Sequence, residues 1–256
     1  MNEKSRLAAL DDYRILDTPP ETDYDRLTQL AAMICATPIA VISLVDEERQ
    51  WFKSAYGLDV RYTDRSIAFC AEAIKSDQPF IVSDTWQDDR FKQNPLVIES
   101  PHLRFYAGIP LVTKEGFALG TLAVMDIQPR RLSADQCEAL KTLARQVMSH
   151  LELRRQDYRF EQATQQRLRN ILSAAAVGIA LVTLEGNFLS VNPAYCAMLG
   201  MAEGELLNKP FMDILHPDDL PEALRLIDSR KTYSLAYAAP GRCHVLDQDE
   251  IPAHTL

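Results

Sequence analysis

The chain has 256 residues, 47% hydrophobic and 25% charged, so it is long enough for two ordinary domains and apolar enough to build cores without disulfide staples. Its 36 acidic and 27 basic residues leave a formal net charge of −9, which argues against nucleic acid as a partner. No apolar run approaches the roughly 20 residues of a membrane span, and the opening MNEKSRLAALDD lacks the apolar stretch of a secretory signal. A cytoplasmic protein with no membrane partner is expected.

In chain order, Leu27, Leu30, Ala31 and Ile34 form the stripe of an amphipathic helix over residues 23–35, stopped by Thr37-Pro38. The run Ile39 to Val45 is apolar on both faces, as in a central strand. Asp46-Glu47-Glu48 turns the chain into a second strand, Arg49 to Ala55. A short helix over 66–75 and a strand at Phe80-Ile81-Val82 follow. Residues 84–101 are polar, aromatic and proline-punctuated, which predicts a long loop with one helical turn. Arg104 to Thr113 and Phe117 to Met125 pair across Lys114-Glu115-Gly116, with Gly120 marking a bulge or a close backbone approach.

Ser133-Ala134-Asp135-Gln136 is a capping box, and from there to Leu172 no Pro or Gly interrupts the chain. A seam at four-three spacing reads Ala144, Val147, Leu151, Arg154, Tyr158, Glu161, Gln165, Leu168, Leu172. Apolar ends and a polar middle suit a helical linker that pairs with a second copy, giving a homodimer. Beyond it lie strands over 177–183 and 187–191, a short helix from Pro193 to Leu199, a helix opened by His216-Pro217-Asp218-Asp219, and a hairpin of Tyr233 to Ala238 with Cys243 to Leu246.

Two resemblances emerge from these stretches. Residues 10–150 resemble the GAF domains of bacterial signalling proteins, through LDTPPETDYDRLTQLAA, PIAVISLVDEERQWFKSAYGL, SIAFCAEAI, the run from Ile81 to Phe91 with Asp84, Asp88 and Arg90, and RFYAGIPLVTKEGFALGTLAVMD. Residues 168–246 resemble a PAS domain, through GIALVTLEGNFLSVNPAYCAMLGMAEGELLNKPFMDILHPDDL, with Asn192 before its helix. The implied fold class is α+β: a GAF antiparallel sheet of five or six strands flanked by helices (1–132), a linker helix (133–172), then a PAS-like antiparallel sheet (173–256). A closing PAS strand is missing from the pattern, so an incomplete second domain, and a fragment of a longer sensor, are expected. The resemblance implies a sensory input module for two-component or cyclic-dinucleotide signalling, serving a kinase or a cyclase.

The resemblance also implies a ligand pocket, for which the candidates are Trp51, Phe69, Cys70, Asp84, Phe91, Phe105 and Tyr106, an aromatic wall with few polar groups. Simple core packing explains the same residues. Some GAF-fold proteins attach a bilin through Cys, and one branch reduces methionine sulfoxide. Here Ala71 follows Cys70 and no second Cys lies near, so an inert thiol is expected and a Cys70 redox enzyme is the weakest reading. The five cysteines include no CxxC, so zinc has no support. No bilin, heme or flavin attachment motif is visible, and the cofactor stays unknown. His150 lacks the neighbours of a phosphoacceptor, and His216 with Asp218 and Asp219 is explained by helix opening without a metal. No catalytic motif is present, and a non-enzymatic input module is expected. The alternative is a dimerisation or interaction scaffold with an empty pocket.

Overall fold

The computed structural model describes residues 2–175, 177–183, 186–214, 234–239 and 242–246, divided between two compact units, Met1–Arg159 and Phe160–Leu256. The first unit is built on a six-stranded antiparallel sheet of β1 (Ile39–Val45), β2 (Arg49–Tyr56), β3 (Tyr62–Asp64), β4 (Phe80–Val82), β5 (Phe105–Val112) and β6 (Ala118–Asp126), in the order β3-β2-β1-β6-β5-β4. The central strands β1 and β6 are buried along their whole length, which is why neither shows polar alternation.

Each face of the sheet carries its own core. One holds Ile42, Leu44, Trp51, Phe105 and Leu111 against α1 (Glu3–Asp12), α2 (Thr22–Cys35) and the first half of α5 (Ala134–Ala174). The other holds Val41, Phe52, Tyr106 and Met125 against α3 (Phe69–Ala73) and α4 (Pro95–Ile98). Backbone approach decides one residue between them: a Cβ on Gly120 would lie 1.9 Å from the Ser43 carbonyl oxygen, so only glycine lets β6 close on β1. A bulge in the β5–β6 ladder falls beside it, between Leu111 and Val112.

Three details depart from the sequence expectations. Helix α2 buries Tyr24, Thr28, Ala31, Ala32 and Cys35, while Leu30 of the expected stripe points outward. Thr28 is tolerated inside because its hydroxyl donates to the Asp25 carbonyl at 2.9 Å and pairs with Ser54 Oγ at 2.8 Å. Helix α1 and strand β3 had no expectation, because neither carries a periodic apolar stripe. The linker helix is not free in its first half: Leu140, Leu143, Ala144, Val147 and Leu151 are buried in the first unit's core. The expected seam positions Ala144, Val147 and Leu151 are therefore occupied by the chain's own sheet. The capping box is formed, with Gln136 N–H donating to Ser133 Oγ at 3.1 Å and Ser133 N–H to Gln136 Oε1 at 3.0 Å.

The second unit contains β7 (Gly178–Val182), β8 (Phe188–Val191), α6 (Pro193–Leu199), α7 (Glu203–Leu206), β9 (Ser234–Ala239) and β10 (Arg242–Leu246), with the antiparallel order β10-β9-β7-β8 among the described residues. Ala180, Val182, Phe188, Tyr195, Leu206 and Phe211 form its core. Asn192 joins its parts. The Asn192 side-chain amide donates to the Leu172 and Val177 carbonyls at 2.9 Å each, and its carbonyl accepts from Ile179 N–H at 2.8 Å and Tyr195 N–H at 2.9 Å. One buried residue thus caps α6 and ties the end of α5 to β7. The expected helix at His216-Pro217-Asp218-Asp219 lies outside the described residues.

Candidate functional site

Strand alternation decides which side chains of the first unit can share a site. In β2, Gln50 and Phe52 point to the α3 side, and Trp51 points to the opposite core. In β5, Tyr106 points to the α3 side and Phe105 away from it. The α3 side contains a cavity of about 290 Å³, bounded by Gln50, Phe52, Phe69, Cys70, Tyr106 and Met125, with Leu58 and Val60 from the β2–β3 connection, Thr63 from β3, Leu96 and Ser100 from the long loop, and Leu103 just before β5. No charged side chain lines it.

The aromatic wall is tightly fixed. Phe69 stacks on Phe91 at 4.2 Å between ring centroids and on Tyr106 at 5.3 Å. The Tyr106 ring lies over Gly108, where a Cβ would meet its hydroxyl at 2.3 Å. That space lets Tyr106 O–H donate to Cys70 Sγ at 3.2 Å. Thr121 Oγ1 donates to the same sulfur at 3.0 Å and pairs with Ser43 Oγ at 3.1 Å. Burial pushes the Cys70 thiol above its ordinary range and raises the Tyr106 hydroxyl well above its own, so both hold their protons at neutral pH. A protonated, enclosed thiol is a poor nucleophile. Among the described residues no cluster of three or more His, Cys, Asp or Glu could hold a metal.

Of the seven candidates, the cavity brings together Phe69, Cys70 and Tyr106. Phe91 supports Phe69 from behind. Trp51 and Phe105 belong to the opposite core and cannot reach the cavity, because they are strand neighbours of residues that do. Asp84 lies elsewhere, beside an open groove of about 780 Å³ with Asp88, Arg90 and Arg130. There it accepts two hydrogen bonds from Arg104, both at 2.9 Å, which holds its carboxyl below the ordinary range. Missed from the sequence were Gln50, Phe52, Thr63 and Met125. Strand geometry, which turns neighbouring side chains to opposite faces, carried the signal for Phe52, whereas β6, apolar on both faces, gave none for Met125.

On the other side of β2 a register bulge places Lys53 and Ser54 together toward the helices. The Lys53 side chain is fully covered. Its ammonium donates to Thr18 Oγ1 and the Pro19 carbonyl at 2.8 Å and to Glu21 Oε1 at 2.5 Å. The same Glu21 oxygen accepts from Arg154 of α5 at 2.9 Å. Burial lowers the Lys53 pKa and the Glu21 hydrogen bond opposes that shift. Helix α5 is held further by Tyr13 O–H to Glu152 at 2.5 Å, Arg159 to Asp12 at 2.6 Å and Gln136 to the Ile34 carbonyl at 3.0 Å.

A six-stranded antiparallel sheet with α1, α2 and α5 on one face and a cavity beneath α3, α4 and a long loop on the other is the architecture of a sensory domain. Residues 19–151 match the GAF domain family, and the chain belongs to it. Residues 166–230 match the PAS fold. A cyclic di-GMP phosphodiesterase of Pseudomonas aeruginosa is 42% identical over 151 residues, 59% of this chain. The chain spans about a quarter of that relative, 26% of its length. Among solved structures, the GAF domain of an Acinetobacter phosphoenolpyruvate-protein phosphotransferase is 19% identical, at a TM-score of 0.45, over 59% of this chain and 95% of its own. The corresponding domain from Coxiella burnetii is 16% identical, with a TM-score of 0.45, over 64% of this chain and 99% of its own. No helix among the described residues is long and apolar enough to cross a membrane.

Proposed function

We propose that the GAF cavity binds a small molecule and that binding is transmitted to α5 through β2. The observation that carries this reading is the back-to-back arrangement in β2. Phe52 lines the cavity, and the adjacent Lys53 reaches through Glu21 to Arg154 on the helix. A ligand that shifts β2 changes the geometry of an ion triad that is half out of water, where a small displacement alters its energy. The module then informs an output in cyclic-dinucleotide or two-component signalling, in the cytoplasm, with a kinase, a cyclase or a phosphodiesterase downstream. The name of the Pseudomonas relative supports the cyclic-dinucleotide branch. In this reading the chain's own residues perform no catalysis.

The alternative, an interaction scaffold, draws on a separate observation. Leu153, Phe160 and Ile171 are exposed on α5, by 58%, 73% and 50%. Spacings of 7 and 11 residues keep them within about 20° of one another around a helix, opposite the buried Ala144 and Leu151. A second copy of the helix is the occupant that fits such a stripe, giving a homodimer.

The two readings separate by native mass spectrometry of the gently desalted chain purified from a bacterial host. The sensor reading predicts a stoichiometric small-molecule adduct that disappears in Val60→Trp, which fills the mouth of the cavity. A bare chain in both proteins would leave the scaffold.

A further inference from the structure

The cavity contains a polar fault that the fold does not repair. Gln50 is 5% exposed, yet its side-chain carbonyl oxygen, buried at the cavity wall, has no hydrogen-bond partner. Directly across the β2–β3 ladder stands Thr63, also on the cavity wall, and its hydroxyl oxygen is likewise buried and unpartnered. A buried acceptor left without a hydrogen bond loses its solvation with nothing in return, and natural cores seldom leave two side by side. The two orphans form one polar point on a mainly apolar surface, with Ser100 the other hydroxyl residue of the lining besides Tyr106. They face a space of about 290 Å³, room for roughly ten non-hydrogen atoms when judged against the ~30 Å³ share of a liquid water.

The charge balance of the lining narrows the occupant further. An anion such as a nucleotide phosphate needs a cation or a ring of N–H donors on entering such a site. The lining has neither. A cation needs a carboxylate or an open aromatic face. The lining has no carboxylate, and two of its three aromatic rings, Phe69 and Tyr106, are stacked on each other, with Phe91 stacked on Phe69 as well. Resting on the sensor reading above, we propose that the ligand is an uncharged, mainly hydrophobic molecule whose N–H or O–H donates to Gln50, with a polar atom beside it to meet Thr63. The amide and alcohol classes have this form. The cyclic dinucleotides, which are larger and carry two phosphates, do not.

Benzamide, benzoate, toluene and cyclic di-GMP test this on the full chain by ligand-observed NMR titration. The expected order is benzamide bound tighter than toluene, with neither benzoate nor cyclic di-GMP competing. Gln50→Leu should fold with undiminished thermal stability, because it removes an orphan, and should weaken benzamide by about tenfold while sparing toluene. Val60→Trp should abolish both. Benzoate or cyclic di-GMP binding best, in a manner blocked by Val60→Trp, would overturn the ligand class and leave the sensor reading standing. Benzamide binding that Gln50→Leu leaves unchanged would overturn the role of Gln50. No binding by any of the four would overturn both the class and the sensor reading.

Discussion

At position 3 a glutamate is gripped by two arginines, and the consequence is a pH dependence. Arg6 donates to both Glu3 carboxylate oxygens, at 2.7 and 3.0 Å, and Arg65 lies 2.8 Å away. The Arg6 hydrogen bonds, more than any other cause, bring the Glu3 pKa from 4.5 to about 2. A depressed folded-state pKa contributes stability that is complete above the unfolded value and is lost as pH falls through the folded one. Glu3→Gln should therefore be less stable than the parent at neutral pH, by a modest margin because Glu3 is half exposed. The two should converge between pH 4.5 and about 2 in urea titrations. A constant difference down to pH 2 would show that Glu3 acts through packing alone. At the same scale the sequence yielded its site unevenly. Phe69, Cys70 and Tyr106 were legible as an aromatic wall around a thiol. Trp51 and Phe105 were drawn in by side-chain type, although neighbours on a strand must face opposite ways. Gln50 gave no signal, because nothing in a single chain distinguishes a surface glutamine from a buried one.

The elements were easier to read than the contacts. The strands β1, β2, β4, β5 and β6 follow from their apolar runs and turns, and the capping box marks the start of α5 to within a residue. The β3 strand, three residues with exposed ends, carries too little pattern to declare itself, although it supplies Thr63 to the cavity. Helix α5 shows the limit of a seam read from spacing. The apolar residues near its start serve the GAF core, and the side left open is Leu153, Phe160 and Ile171. The pairing proposed for that side has a direct consequence. Phe160→Glu places a charge in the stripe and should shift the chain from dimer to monomer in light scattering at micromolar concentration, without lowering its melting temperature. A parent chain already monomeric at that concentration would remove the stripe from the account.

Across the whole molecule, the two family matches and their order were visible in motif stretches, because each GAF and PAS element carries turn and capping residues with a local physical role. The proposed coupling between cavity and helix had no signal in the sequence, since Glu21, Lys53 and Arg154 meet only after folding. That coupling is the central claim, and amide hydrogen exchange on the full chain saturated with benzamide tests it. The account predicts slower exchange in β2 and in residues 134–159 of α5 together. In Glu21→Ala, which cuts the Lys53–Arg154 connection, benzamide should still slow β2 and no longer change α5. Protection confined to the cavity walls in the parent chain, with α5 unmoved, would contradict it.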